Sequence, residues 1–236
     1  MLPYYFPVST TDTLSIPTTA TRTWTTVLFD LDGTIVDSAP GITAALERTL
    51  VALGLPVPDA AGLLSYVGPP LLESFMERAG MTEPEARHAL NLYRADYNST
   101  AVETAVFPGM AGLLERLHKS GVPLALATSK PETIATLVLE HFDLARYFTV
   151  ITGATEDESR SEKADVIAEA LRRLQALGID TSHAVMVGDR SHDALGAAAH
   201  GIPTLMVEWG YGSPAEAVDA IGTVYSADQL AKKLLS

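Results

Sequence analysis

The feature that most constrains the fold is a regular alternation of strand-type and helix-type segments from Phe107 to the end of the chain. Short apolar runs that favour buried strands alternate with longer stretches whose apolar residues recur at helical spacing. This alternation predicts a parallel β-sheet with helices packed on both of its faces. The predicted strands cover residues 122–127, 147–152, 184–187, 203–207 and 223–225, and the predicted helices cover 110–119, 131–142, 163–177, 192–200 and 227–235.

One more strand precedes this region, and an all-helical block separates the two. Val27–Phe29 is an apolar run of strand type, whereas Ile42, Leu46 and Leu50 recur at helical spacing until Gly54 ends the pattern. Further helices are predicted at residues 60–66, 70–79 and 83–100, with no strand among them. We interpret 24–37 and 106–236 as an α/β core, 38–105 as an inserted all-α domain, and 1–23 as an N-terminal extension.

Composition excludes several classes of function. The chain of 236 residues has no cysteine, which excludes disulfides, cysteine-ligated zinc and thiol catalysis. Its net charge of -13 argues against nucleic acid and anionic membranes as partners, and a phosphate-bearing substrate would need a cation at its site. No apolar run approaches the roughly 18 residues of a membrane span. No basic residue precedes Arg22, so no secretory signal is predicted and a cytoplasmic location is expected.

Two carboxylates follow the first strand. Asp30 and Asp32 are two residues apart, so in an extended chain their side chains point to the same side. Like charges this close require a cation or a shared proton, and Gly33 permits a sharp turn beside them. Thr34 completes the sequence Asp-x-Asp-Gly-Thr. The alternative is an acidic turn without chemistry, since Asp-Gly is also a common turn signal.

Other polar groups lie where later strands end, which is the edge of a parallel sheet where ligands bind. Thr128 and Ser129 follow the second strand and are placed to bind an anion, although hydroxyls there also cap helices. Lys163 opens a helix, where a cation is unfavourable unless an anion faces it; otherwise it is a surface lysine. Asp189 follows the fourth strand, and Asp193 either supports that site or is an ordinary acidic residue at a helix start.

The chemistry of these donors indicates the metal. Carboxylates and a hydroxyl, without cysteine or clustered histidine, form the hard-oxygen site that suits Mg²⁺ and not zinc. The order of the motifs is similar to the four motifs of the haloacid dehalogenase-like (HAD) superfamily over residues 24–210, and the helical block resembles its C1 cap. Three segments resemble the phosphoglycolate-phosphatase-like branch most: Val36–Pro40, Pro108-Gly109 and Gly188–Asp193. The chain departs from that branch at Lys163-Ala164, where Lys-Pro is frequent.

The resemblance implies a Rossmann-like α/β core with an inserted all-α cap, and a Mg²⁺-dependent phosphatase. It implies that Asp30 attacks phosphorus to form an aspartyl-phosphate, and that Asp32 protonates the leaving oxygen and then activates water. By the same resemblance, Mg²⁺ is held by Asp30, the backbone carbonyl of Asp32, and Asp189, with Asp193 ordering its waters.

The remaining implied roles concern the phosphoryl oxygens, which Thr128, the backbone of Ser129 and Lys163 are expected to bind. The expected partner is a small phosphorylated metabolite, and the expected assembly is a monomer or homodimer. Arg94 is a candidate for contacting a substrate anion, or else an exposed helical arginine.

Several functions stay open on the sequence. The substrate can be phosphoglycolate, a nucleoside monophosphate, pyrophosphate or a sugar phosphate. A haloalkanoate dehalogenase needs no acid at the position of Asp32, so the presence of Asp32 argues against dehalogenase activity. A β-phosphoglucomutase-like mutase uses the same core, and a non-enzymatic binding protein need not keep Asp32, Lys163 and Asp189 together.

Overall fold

A computed structural model describes residues 23–236, so the predicted N-terminal extension lies outside the described residues except for Thr23. Six parallel strands form one sheet in the order β5-β4-β1-β6-β7-β8. A separate two-stranded antiparallel ladder is formed by β2 and β3. The strands are β1 Thr26–Phe29, β2 Val36–Asp37, β3 Ala105–Val106, β4 Leu124–Pro131, β5 Val150–Ala154, β6 Ala184–Gly188, β7 Thr204–Val207 and β8 Gly222–Val224.

Strand β1 lies in the middle of the sheet and is fully buried. It pairs with β4 on one side and β6 on the other, with Phe29 opposite Leu126 and Val187. Successive side chains of a strand point to opposite faces. Val27 and Phe29 accordingly pack into one hydrophobic cluster, and Leu28 packs into a second. Both faces of the sheet are therefore covered, which confirms the predicted α/β fold class.

The helices surround this sheet or form the block between β2 and β3. They are α1 Ala39–Ala52, α2 Ala60–Leu64, α3 Leu71–Ala79, α4 Glu83–Tyr97, α5 Met110–Lys119, α6 Glu132–His141, α7 Lys163–Ala176, α8 Ser191–Ala198 and α9 Ala227–Leu234. Short 3-10 turns cover Ala145–Tyr147 and Pro214–Ala217. Within residues 23–236, none of the helices has the length and apolar character needed to cross a membrane.

Helices α1 to α4 occupy the segment that the sequence predicts to be helical. In this segment α4 packs against both α1 and α3. Phe75 of α3, Leu46 of α1 and Leu90 of α4 are buried in the same cluster as Phe29 of the central strand. The segment therefore shares its core with one face of the sheet, and its assignment as a separate domain at 38–105 stays a prediction.

Among the boundaries that differ from those predicted, two lie in β4 and β5. The second core strand, β4, continues to Pro131, with a register shift against β5 between Ala127 and Pro131. The predicted strand at 147–152 begins only at Val150, because Ala145–Tyr147 closes a 3-10 turn in which Tyr147 N donates to Leu144 O at 3.0 Å. Both differences arise from backbone hydrogen bonding that apolar periodicity does not encode.

Candidate active site

The centre of the site is an ion-paired group where β1, α7 and α8 meet. Asp30 directly follows β1, and its Oδ1 lies 2.8 Å from Lys163 Nζ. The same Nζ lies 2.8 Å from Asp193 Oδ1 and donates to Ala127 O at 3.1 Å. The Lys163 side chain is only 5% exposed. The alternative of a solvated surface lysine is therefore wrong.

Burial and attraction act in opposite directions on these groups. Burial acts to lower the pKa of Lys163, but its attraction to Asp193 and Asp30 outweighs burial and leaves this pKa above its ordinary value. Burial raises the pKa of Asp30 to about 6, although Lys163 acts to lower it. The lysine is thus held charged, with carboxylate oxygens of two acids within ion-pair distance.

Three buried acids form a group suited to a cation. Asp30, Asp189 and Asp193 each offer a carboxylate oxygen, and these oxygens all lie within 4.8 Å of one another. Burial, followed by repulsion from Asp193 and Asp30, raises the pKa of Asp189 well above its ordinary value. A bound cation would relieve this repulsion, and carboxylate oxygens are ligands that Mg²⁺ accepts. The donor set therefore fits the expected metal.

Glycine backbone encloses the carboxylate of Asp189. Gly33 has φ +85°, and a Cβ at this position would lie 2.3 Å from Asp189 Oδ2. A Cβ on Gly210 would lie 2.5 Å from the same oxygen. Asp189 Oδ2 also accepts a hydrogen bond from Tyr211 N at 2.7 Å, and Thr34 Oγ1 donates to Oδ1 at 3.4 Å. These close contacts hold the carboxylate in one position, as a metal ligand requires.

Asp193 serves the backbone as well as the site. Its Oδ2 accepts from Asp189 N at 3.1 Å and from Arg190 N at 3.0 Å, at the start of α8. The prediction of an ordinary acidic residue at a helix start is thus correct for one oxygen. The other oxygen faces Lys163, so the same side chain joins the helix start to the ion-paired group.

Asp32 is not part of the group of three acids and is paired with Lys130, which was not among the predicted site residues. Lys130 Nζ donates to Oδ1 and Oδ2 of Asp32, each at 3.1 Å. Lys130 also donates to Tyr97 Oη at 2.8 Å and lies 4.6 Å from the centre of that ring. The Asp32 side chain is thus outside the acid cluster, and the metal contact through its backbone carbonyl stays a prediction.

Lys130 could have been selected from the motif itself, since it is the third residue of Thr128-Ser129-Lys130. Burial acts to lower the pKa of Lys130, but Asp32 and Tyr97 raise it above its ordinary value. Nothing in the sequence indicated Tyr97, because it lies 33 positions away on α4.

Thr128 and Ser129 line the same cavity as Asp30 and Asp32. Thr128 Oγ1 accepts from Lys130 N at 3.3 Å, and the N-cap of α6 is Pro131, with no side-chain cap bond. Neither hydroxyl therefore caps helix α6. Ser129 Oγ is buried without a hydrogen-bond partner among the described residues, which leaves it free to bind a ligand.

The cavity has two walls. Thr128 and Ser129 belong to the wall on the sheet side, and the helical segment forms the other wall, which polar contacts join to the core. Arg94 of α4 forms an ion pair with Glu158 and donates to Glu156 O at 2.8 Å. Its side chain is 15% exposed, so the alternative of an exposed helical arginine is wrong. Arg190 donates to Val67 O, a backbone group that precedes α3. Contact of Arg94 with a substrate anion stays a prediction.

Residues 27–207 match the family described as haloacid dehalogenase-like hydrolase. The chain belongs to this family. Relatives named phosphoglycolate phosphatase are similar to this chain, as the motifs predicted.

Three curated relatives carry different names. The "Tyrosine-protein kinase PtkA" of Mycobacterium tuberculosis is 46% identical over 84% of this chain, which spans 66% of that relative's length. A "5'-nucleotidase" of Pseudomonas aeruginosa is 40% identical over 86% of this chain and 90% of its own. A "Phosphoglycolate phosphatase" of Pseudomonas fluorescens is 34% identical over 78% of this chain and 70% of its own.

A solved structure supports the fold. A "predicted phosphatase" from Clostridium acetobutylicum superposes with a TM-score of 0.83 and 40% identity, covering 89% of this chain and 97% of that chain. The sheet and the helical segment described above are therefore shared with a solved relative of similar size.

Proposed function

We propose that this protein is a Mg²⁺-dependent phosphomonoesterase that hydrolyses a small phosphorylated metabolite through an aspartyl-phosphate on Asp30. The observation that carries the proposal is the position of Asp30, 2.8 Å from Lys163 and beside the buried carboxylates of Asp189 and Asp193. The proposal is supported because a carboxylate that could act as nucleophile, a fixed cation and acids suited to a metal lie at one point of the sheet edge.

The first step forms a bond between Asp30 Oδ and phosphorus while the bond from phosphorus to the leaving oxygen breaks. Asp32 gives its proton to the leaving oxygen, and Lys163 stabilises the charge on the transferring phosphoryl group. Thr128 and the backbone N–H of Ser129 bind the other phosphoryl oxygens. Asp30 and Asp189, with Asp193 nearby, would hold Mg²⁺, which would supply further positive charge against the phosphate when bound.

The second step regenerates the enzyme. Asp32 takes a proton from water, whose oxygen attacks phosphorus, and the bond to Asp30 breaks to release inorganic phosphate. Both oxygens of Asp32 accept hydrogen bonds from Lys130, which fixes the orientation of the carboxyl group. Lys130 is then a positioning residue for the acid.

A second candidate is hydrolysis of nucleoside monophosphates, as named for the Pseudomonas aeruginosa relative. That relative is matched over 90% of its length, and its name therefore refers to a protein of comparable extent. The motifs resemble the phosphoglycolate-phosphatase-like branch most, so 2-phosphoglycolate is tested beside the nucleoside monophosphates.

The proposal is tested by inorganic phosphate release from a panel of phosphoesters, with Mg²⁺, with EDTA, and with Asp30→Asn. We expect release from at least one ester, a loss of at least about 10³-fold with Asp30→Asn, and loss with EDTA that added Mg²⁺ restores. Full Mg²⁺-dependent activity of Asp30→Asn would overturn the mechanism.

Other outcomes separate the remaining functions. Isomer formation without net phosphate release would indicate a mutase. Trapping of phosphorylated Asp30 without turnover would indicate a binding protein. An arm with ATP and a tyrosine peptide tests the activity named for the mycobacterial relative.

A further inference from the structure

The charges that line the cavity limit which leaving group it accepts. Among the described residues of the cavity wall, the cationic side chains are Arg94 and Lys130. Lys130 donates to both oxygens of Asp32, and Arg94 is paired with Glu158. A substrate that carries a second anion would have to break one of these ion pairs to find a positive partner.

The pairing of Arg94 is fixed by the loop that carries Glu158. Glu158 has φ +65°, a left-handed conformation that non-glycine residues rarely adopt. Its side chain is 7% exposed, and the neighbouring Glu156 O accepts a second hydrogen bond from Arg94 at 2.8 Å. The surrounding structure therefore maintains a strained backbone that places a carboxylate against Arg94.

The rest of this wall is aromatic and aliphatic. Tyr93 and Tyr97 are stacked, with ring centres 5.3 Å apart and an interplanar angle of 13°. Side chains of this type bind flat apolar groups by burial and ring contacts. The apolar and aromatic residues that line the cavity include Ile42, Tyr66, Leu71, Leu90, Tyr93 and Ile134.

We propose that the preferred substrate is a phosphate monoester whose leaving group is uncharged and carries a flat apolar part. The nucleoside of a nucleoside 5'-monophosphate and the ring of an aryl phosphate both have this chemistry. A leaving group with its own anion, such as the carboxylate of phosphoglycolate, is disfavoured. This inference rests on the proposed phosphatase function.

The first experiment compares esters of matched reactivity on the wild-type protein with Mg²⁺. Adenosine or uridine 5'-monophosphate is compared with ribose 5-phosphate, which has the same ester but no base. We expect the base to raise kcat/KM by at least about 10-fold, from ring contacts and apolar burial. For aryl esters, the KM of phenyl phosphate is compared with the KM of ethyl phosphate. Their kcat values are not compared, because phenolate is a better leaving group than ethoxide and this alone raises kcat.

The outcomes of this comparison are distinct. A higher kcat/KM for the nucleoside monophosphates than for ribose 5-phosphate would identify nucleosides as the leaving groups. A lower KM for phenyl phosphate, without that difference, would identify aryl esters as the substrates. Equal values in both pairs, or the highest kcat/KM with 2-phosphoglycolate, would overturn the inference and leave the phosphatase function standing. An absence of phosphate release from every ester would remove the proposed function and this inference with it.

The second experiment tests the role of the paired arginine. Glu158→Gln removes the carboxylate from Arg94 and should raise kcat/KM for 2-phosphoglycolate, relative to ribose 5-phosphate, by at least about fivefold. The control is Glu83→Gln, which removes a carboxylate from the exposed Arg87 on the same helix and changes the net charge equally. The proposed exclusion of a second anion is contradicted if the ratio of kcat/KM for 2-phosphoglycolate to kcat/KM for ribose 5-phosphate stays constant in Glu158→Gln. It is also contradicted if this ratio rises equally in the control.

Discussion

The two walls of the cavity differ in what they contribute. On the sheet side Asp30 lines the cavity, and next to it lie Lys163, Asp189 and Asp193, all buried at strand ends and helix starts. The helical wall contributes tyrosine and aliphatic side chains, and its arginine, Arg94, is paired with a carboxylate of the core. In the proposed function, the sheet side therefore performs the chemistry and the helical wall selects the leaving group.

The walls also differ in how they are held. Asp30 follows β1, whose backbone pairs with β4 on one side and β6 on the other, and Asp189 follows β6. The helical wall is joined to that edge through side chains, at Tyr97 to Lys130 and at Arg94 to Glu158. A change on the sheet side should therefore cost more stability than a change of similar chemistry on the helical side.

The largest effect is expected for Lys163→Met, because it leaves the buried carboxylates of Asp30 and Asp193 without their cation. Removing one partner of a buried ion pair costs about 3–5 kcal/mol of the free energy of unfolding. Urea denaturation in chelator-containing buffer measures this. The control is Lys119→Met, whose side chain is 71% exposed in a pair with Glu115 and should cost less than about 1 kcal/mol. Similar losses of unfolding free energy in the two variants would contradict the expected difference between the buried and the exposed ion pair.

Gly33→Ala should come next, because φ +85° strains any other residue and the new Cβ would meet Asp189 Oδ2. We expect a loss of more than about 1 kcal/mol in the free energy of unfolding. Displacement of Asp189 should also weaken activation by Mg²⁺. The control Gly80→Ala has φ +67° with no atom within 4 Å of its Cβ, so it shares the strain but not the clash. If both variants keep wild-type Mg²⁺ dependence, the enclosure of Asp189 has no role in metal binding.

Tyr97→Phe should have a moderate effect, since it keeps the ring but removes the 2.8 Å hydrogen bond from Lys130. The expected loss in unfolding free energy is about 1 kcal/mol. Tyr225→Phe, at a side chain that is 63% exposed, should leave stability unchanged. Thermal unfolding of the two variants in parallel measures the difference, and equal midpoints would show that this contact does not hold the helical wall.

The smallest effect is expected for Asp96→Asn, which breaks an ion pair with Arg48 between α4 and α1. Both side chains are about half exposed, and exposed pairs contribute about 0–1 kcal/mol. Denaturation at low and high salt measures it, and a loss above about 2 kcal/mol would mean that the helical wall depends on surface charge.

The sequence predicted the sheet-side wall because its groups lie at strand ends and helix starts. Asp30 and Asp189 follow neighbouring strands, β1 and β6, so a parallel sheet brings them to one edge without further information. The predicted Lys163 and Asp193 lie at the starts of α7 and α8, and the structure places both beside Asp30. Their catalytic roles remain predictions.

The helical wall was less predictable because its contacts join side chains that are far apart in sequence. Arg94 and Glu158 are separated by 64 positions, and the pairing depends on the left-handed backbone of Glu158. Periodicity places α4 and shows which face is apolar, but it does not determine which loop the polar side chains meet. The pairing of Lys130 with Asp32 was also missed, although Lys130 directly follows the predicted Thr128 and Ser129 in the same motif.

The small ladder of β2 and β3 determines how the helical segment is connected to the rest of the chain. Val36 lies opposite Val106 and Asp37 opposite Ala105, so the chain leaves the core and returns to it on adjacent antiparallel strands. A segment that begins and ends at neighbouring points can be lengthened, exchanged or shortened without rethreading any strand of the main sheet. The fold thus allows the helical wall to diverge among relatives while the order of strands, and the sites at their ends, stay the same.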